Sequence, residues 1–292
     1  MIKIERTKII APEILTQENG RGPKETKKAI NHYSKPIVTK PYKFSVYSDR
    51  RVKEALITLF DGKCAYCESR FLHVYSGDVE HFRPKGKISD ADNPKPGYYW
   101  LAADWENLLL SCRNCNQKLK HLTVGATDKE TMGKMDQFPL DDGGVHVQNH
   151  AKDISSEEPF RLLINPCIEN PEDYFKYSME SGVIMPKSTS IREKKMALES
   201  IRVYVLQRVP LVQARERKAI EILAQIQRVK EATKNVSDHL DDNSDLKKIY
   251  FDKILKKEIK KLKQFLSPGE EYLGLAKQII NKFFEENFQI EN

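Results

Sequence analysis

No apolar run in this chain approaches the roughly 18 residues that a bilayer-spanning helix requires, which excludes helical integral-membrane classes. The opening residues, Met1-Ile-Lys-Ile-Glu-Arg6, hold neither an apolar signal core nor a small-residue cleavage site. The expected location is therefore the cytoplasm, with no membrane partner. There is no internal repeat, no low-complexity tract and no G-x-x-x-x-G-K-[ST] phosphate loop, so any ATP dependence has to come from a partner. Cysteine is scarce. Of the five present, four fall in two C-x-x-C pairs, and in a reducing compartment that pattern points to metal rather than to cross-links. The fifth, Cys167 in Asn-Pro-Cys, reads as a buried and inert thiol.

What is present suits a globular chain. Hydrophobic residues make up 39% and charged residues 31%, enough for an ordinary core beneath a charged surface. A length of 292 residues allows two domains, or one domain with helical additions. The formal charge of +7 is unevenly spread. Residues 1–60 carry thirteen Lys/Arg against six Asp/Glu, residues 122–190 six against twelve, and residues 191–292 twenty-one against sixteen. A basic end beside an acidic middle suggests a side that faces a polyanion and a side that is shielded from it.

Local patterns divide the chain into four segments. Residues 1–47 form a basic N-terminal arm, and its polar, Gly- and Pro-containing part at 17–41 is expected to be extended. Within 48–137, Ser48 should cap a helix carrying Val52, Leu56, Leu59 and Phe60 at helical spacing, with Gly62 ending it. Residues 138–190 suggest strands and turns, including the run Leu162-Leu163-Ile164. From about Ile191 to 292 the pattern is helical. It is interrupted at Pro210, resumes from about Ser244 to Leu266, and opens again at Ser267-Pro-Gly-Glu270.

Cys64-Ala-Tyr-Cys67 and Cys112-Arg-Asn-Cys115 lie 44 residues apart. Four thiolates close a tetrahedral zinc site, so such a zinc would be structural. The segment between the pairs contains Gly77-Asp-Val-Glu80-His81-Phe-Arg-Pro84-Lys85 and then Asp104-Trp-Glu-Asn107-Leu-Leu-Leu-Ser-Cys112, with Asn116 following the second pair. An acid–histidine pair between two C-x-x-C knuckles, with Asn-Leu-Leu-Leu entering the second, resembles the zinc-bearing HNH endonucleases over about 60 residues. The spacing from Asn107 to Asn116 fits that family as well.

The resemblance implies an α+β fold: a small ββα-metal (HNH) module with a four-cysteine zinc site, embedded in a mainly α-helical chain. It implies that His81 is the general base and that Glu80 and Asn116 hold a catalytic Mg²⁺ or Mn²⁺. Asn107 would orient the loop and fix the imidazole of His81. Phosphodiester hydrolysis needs a group that takes a proton from water near pH 7 and a hard cation that relieves charge on the leaving oxygen. Asn116 in place of histidine favours hard, oxygen-liking metals. Asp78 stays open as a substitute ligand, and His121 as a further one from the next helical turn. Arg83, Lys85, Arg113, Lys118 and Lys120 are candidate phosphate contacts, as are Arg70 and Lys87. Tyr98, Tyr99, Trp100 and Trp105 could stack bases but read better as module core. His32, His73, His146, His150 and His239 have no ligand-like spacing.

A narrower resemblance rests on Cys-Ala-Tyr-Cys-Glu, Asp-Val-Glu-His-Phe-Arg-Pro-Lys, Tyr-Tyr-Trp-Leu-Ala, Asn-Leu-Leu-Leu-Ser-Cys-x-x-Cys-Asn, Leu163-Ile-Asn-Pro-Cys167 and Glu199-Ser-Ile. These are similar to the HNH subunit of Septu-type bacterial anti-phage defence systems, the PtuB-like proteins, including those attached to retrons. That branch implies a partner, an ABC-type ATPase subunit. The expected function is a metal-dependent HNH endonuclease that hydrolyses nucleic-acid phosphodiester bonds, DNA or RNA, as the effector of such a complex. The alternative is a zinc-stabilised nucleic-acid-binding or scaffold module without catalysis.

Overall fold

A computed structural model of the chain describes residues 1–239 and 245–287. The N-terminal part holds α1 (Glu13–Thr16), α2 (Arg21–Tyr33) and α3 (Arg50–Leu59). Strands β1 (Asp78–His81) and β2 (Leu108–Ser111) follow, then the single-turn α4 (Arg113–Asn116). Next come β3 (Leu119–His121), β4 (Glu130–Met132), α5 (Pro171–Tyr174), β5 (Phe175–Tyr177) and β6 (Ile184–Pro186). Helices α6 (Ile191–Val203), α7 (Val209–Asp238), α8 (Asp245–Gln264) and α9 (Leu273–Asn287) complete the described residues. The strands pair antiparallel in twos, β1 with β2, β3 with β4 and β5 with β6. The fold is thus helical with small sheets.

The segment expected to be extended is in part a helix. Residues 21–33 form α2, and the buried carboxylate of Glu25 explains why so polar a stretch is ordered. It accepts from the Ser45 amide and hydroxyl at 2.8 and 2.9 Å and from the Val46 amide, tying α2 to the approach to α3. Ala29, one turn further along α2, is fully buried. Polar capping of backbone donors does here what an apolar stripe usually does. Arg6 extends the same theme, its guanidinium donating to the carbonyls of Trp105, Glu106 and Leu108 at 2.8, 3.1 and 2.7 Å.

Helix α3 buries Val52, Leu56 and Leu59 as its spacing predicts, but its cap is Asp49, one residue beyond Ser48. The Asp49 carboxylate accepts from the Arg51 amide at 3.1 Å, and the chain leaves the helix through Asp61 and Gly62 at φ 51° and 69°. In 138–187 the expected strands reduce to the three-residue pair β5–β6. Leu162, Leu163 and Ile164 are buried without a ladder, because side chains satisfy the backbone: the Ile164 amide donates to Ser200 Oγ at 2.9 Å and its carbonyl accepts from Tyr204 Oη at 3.0 Å.

Pro210 sits in the first turn of α7, where a missing N–H costs nothing, and Val205 at φ 52° separates α6 from α7. The expected start of the next helix at Ser244 lies outside the described residues. α8 packs along α7, with the Gln225 amide donating to the carbonyl and the carboxylate of Glu258 at 3.0 and 2.8 Å. One continuous core runs from Met1 and Leu15 through Cys67, Leu108 and Ile164 to Ile226 and Ile280. Tyr66, inside the first C-x-x-C, stacks on Tyr204 beyond α6 with ring centroids 3.9 Å apart, so the cysteine knuckles rest on the helical region. Among the described residues, no helix is long and apolar enough to cross a membrane.

Candidate functional site

The cysteines meet because two short turns face each other across the end of the β1–β2 ribbon. In the first, Glu68 at φ 64° curls the chain so that its amide reaches the Cys64 carbonyl at 3.0 Å. In the second, Cys112 caps α4 and Cys115 lies inside it. All four sulfurs are buried, and all lie within 4.8 Å of one another. The 3.8 Å from Cys67 Sγ to Cys112 Sγ is far beyond the roughly 2.05 Å of a disulfide. Four thiolates around one divalent ion leave two negative charges in a buried place, and the structure meets them with donors. The Arg208 guanidinium lies 3.4 Å from Cys115 Sγ, and the Cys112 amide 3.4 Å from Cys64 Sγ. Donor chemistry, separation and charge compensation all fit a structural Zn²⁺ at Cys64, Cys67, Cys112 and Cys115. Cys167 stands apart, half-buried, its thiol pushed up to about 11 by burial.

Strand β1 pairs with β2 so that Glu80 opposes Leu109 and His81 opposes Leu108. Leu108, Leu109 and Leu110 are fully buried and hold the ribbon against the core. The strand ends at His81, three residues before Pro84. A cleft of about 600 Å³ opens beside it, and Tyr47, Asp78, Glu80, His81, Lys85 and Asn116 are among its lining residues.

The imidazole of His81 is held at both nitrogens. Nε2 lies 2.9 Å from the Ala102 carbonyl, which fixes the proton there, while Nδ1 lies 3.3 Å from Lys85 Nζ. The Tyr47 ring meets the imidazole edge-on at 4.6 Å. Burial, and then the Lys85 ammonium, keep the His81 pKa well below the ordinary histidine range, so the ring is a neutral base at pH 7. The Lys85 ammonium itself is held down by burial and sits 4.2 Å over the Tyr47 ring.

Glu80 is almost fully buried. Its Oε1 lies 2.6 Å from Lys134 Nζ, as an ion pair rather than an aligned hydrogen bond, and Lys134 also donates to the His81 carbonyl at 2.8 Å. Burial raises the Glu80 pKa, with the Lys134 charge opposing it. Asp78 Oδ2 accepts from Asn116 Nδ2 and Gln117 Nε2, each at 3.1 Å, and Oδ1 accepts from the Tyr75 hydroxyl. Two carboxylates and an amide therefore line one cleft beside the neutral histidine. This hard-oxygen donor set fits a divalent cation such as Mg²⁺ or Mn²⁺.

Several sequence expectations need correction. Asn107 does not touch the imidazole. Its Oδ1 accepts from the Arg83 amide at 2.8 Å and its Nδ2 donates to the Arg83 and Leu101 carbonyls at 3.0 and 3.2 Å, so it braces the loop after β1 while Ala102 orients His81. Arg83 is no free phosphate contact. It is buried, paired with Glu157 and, at 2.6 Å, with Glu158, and covered by the rings of Tyr98 and Phe138. His121 lies on β3, away from the cleft lining, and near Arg208. Lys85 lines the cleft, whereas Arg113, Lys118 and Lys120 lie around α4 and β3, all three exposed. Tyr98, Tyr99 and Trp105 are buried, as a core reading requires. Lys134, Arg208 and the Ala102 carbonyl carry no signal in the sequence. A lysine in Met-Gly-Lys-Met and an arginine just before a helix have no local pattern that distinguishes them from surface charge.

No protein-family model matches the chain. It is 33% identical over 132 residues to the Septu protein PtuA of Bacillus mycoides (strain KBAB4), an alignment that covers 44% of this chain and 16% of that protein. Over 149 residues, 50% of this chain and 41% of the relative, it is 34% identical to a Septu protein PtuB of Bacillus thuringiensis. Against the Septu protein PtuB of Bacillus mycoides (strain KBAB4) the identity is 32% over 312 aligned residues, covering 100% of this chain and 94% of that protein. Similarity of this extent along both chains makes this protein a member of the Septu PtuB family.

Proposed function

We propose that the chain is a metal-dependent HNH endonuclease that hydrolyses nucleic-acid phosphodiester bonds, the effector of an anti-phage defence complex. The observation that carries this reading is His81. It is a neutral imidazole with Nε2 committed to a backbone carbonyl and Nδ1 turned to a cleft that also holds Asp78, Glu80 and Asn116. That is the arrangement of a general base, a role worth about 10²–10⁴-fold in rate. His81 Nδ1 takes the proton of the attacking water, after Lys85 has shifted from it toward a phosphate oxygen. Glu80 and Asn116, with Asp78 beside them, hold the cation, which supplies charge relief at the leaving oxygen when bound. Arg113, Lys118 and Lys120, on α4 or shortly after it, would grip the flanking phosphates, while Asn107 and the buried Arg83 keep the loop after β1 in place.

The partner reading rests on sequence. Septu membership, and the relation of part of this chain to a Septu PtuA, support a working partnership with a second Septu chain. By the resemblance that chain is an ABC-type ATPase. A plasmid- and RNA-cleavage assay of the zinc-loaded protein with its partner, with and without Mg²⁺ or Mn²⁺, tests the whole reading. Wild type should cut only with added cation. His81→Ala should lose at least about 10²-fold while keeping zinc and fold, and Glu80→Ala should act similarly. Full activity in His81→Ala would remove the nuclease assignment.

A further inference from the structure

Divalent-cation sites built from oxygen ligands need net negative charge, and the cleft distributes its charge unevenly. Three acidic residues line it: Asp78, Glu80 and Asp136. Glu80 is opposed by Lys134, whose side chain is fully buried with its ammonium 2.6 Å away, out of reach of solvent screening. Asp136 is opposed by Lys87 at 2.8 Å. Asp78 meets only neutral donors, the Tyr75 hydroxyl and the Asn116 and Gln117 amides, and among the described residues no cation stands within ion-pairing distance of it. The same contact has a second effect. With Nδ2 of Asn116 donating to Asp78, the amide oxygen of Asn116 is the acceptor left for a cation.

We propose that Asp78, rather than the acid beside the catalytic histidine, supplies the net charge that recruits the divalent cation, and that it turns the oxygen of Asn116 toward it. Lys134 is then a positioning residue. It neutralises Glu80 and, through the His81 carbonyl, fixes the end of β1 on which both site residues stand. This deepens the nuclease reading and rests on it only for what the cation does, since cation binding can be measured without cleavage.

The test is Mn²⁺ binding to the full-length, zinc-loaded protein, with free Mn²⁺ read by electron paramagnetic resonance and zinc stoichiometry measured alongside. Asp78→Asn should weaken Mn²⁺ binding by roughly 10–100-fold with zinc unchanged, the range seen when a carboxylate that orients a ligand is lost. The control is Asp136→Asn, which removes the cleft acid already paired with Lys87, leaves Asp78 alone, and should bind Mn²⁺ within about threefold of wild type. Unchanged binding in Asp78→Asn, or an equal loss in zinc-replete Asp136→Asn, overturns the proposal. Should Asp78→Asn fail to hold zinc, Asp78→Glu decides. It restores the charge and should keep much of the affinity, whereas a loss of about 10-fold or more in a zinc-replete Asp78→Glu refutes the charge role. Mn²⁺ bound through Asp78 by a protein that cuts no nucleic acid would end the nuclease reading and leave this inference standing. Cleavage by wild type with Mn²⁺ binding unchanged in Asp78→Asn would do the reverse.

Discussion

Replacing Arg83 by methionine keeps the side chain's length and removes its charge and donors. In the folded protein Arg83 is nine-tenths buried or more, and its partner Glu157 has no exposed surface. Glu157 would keep the Tyr98 hydroxyl at 2.9 and 3.0 Å and the Val147 amide, but no cation. Removing one member of a buried ion pair costs roughly 3–5 kcal/mol, because the remaining charge stays desolvated. Glu158, 43% exposed, adds little, since a solvated carboxylate loses no more than about 1 kcal/mol with its partner. In a chain of this size 1 kcal/mol moves the melting temperature by about 2–4 °C, so a fall of roughly 6–20 °C is expected. Thermal melting by circular dichroism, run beside nucleic-acid binding at several salt concentrations, separates this from a phosphate-contact role. A phosphate contact would leave the melting temperature alone and lower the salt slope by about one. Arg83→Met/Glu157→Gln, which removes both charges, should recover much of the stability. An unchanged melting temperature together with a reduced salt slope would refute the structural role.

Three further outcomes follow from the geometry. Purified protein should carry one zinc that survives mild chelation, and Cys64→Ser or Cys112→Ser should unfold the knuckles, since closed thiolate sites contribute about 10–16 kcal/mol in small modules; zinc-free protein prepared anaerobically would contradict this. The His81 pKa is depressed, so the acid limb of cleavage should lie well below pH 6.5, and Lys85→Met should move it upward by removing one lowering charge; single-turnover rates against pH read both. The sign for stability is the same: the unfolded chain binds the proton more readily, so His81's contribution is present above about pH 6.5 and is lost as pH falls below it. Finally, the ATPase should co-elute with this chain in size-exclusion chromatography. Because α2 and Arg6 are built into the core, the exposed apolar residues Leu246, Ile249 and Tyr250 of α8 are the better place to look for the contact. Ile249→Glu/Tyr250→Glu should weaken co-elution without shifting the melting temperature, and undiminished co-elution would move the interface elsewhere.

The local chemistry of this protein was legible in its residues because it depends on short spacings. Two C-x-x-C pairs announced a four-thiolate cluster, and the apolar periods after Ile191 announced helices. Pro210 announced the break at the start of α7. These features are set by bonding geometry within a turn or two of chain. What only the tertiary structure decided is which charges are free. Arg83 read as a candidate phosphate contact and Lys134 carried no signal, yet folding buries both against carboxylates from elsewhere, Glu157 74 residues from Arg83 and Glu80 on β1. Asp78, one of three acids at the cleft, becomes the uncompensated one by the same process. Glu25, at the centre of the stretch expected to be extended, orders α2 by accepting amides twenty residues away. Burial and charge compensation are sums over neighbours brought together from the whole chain, so no local pattern could have contained them.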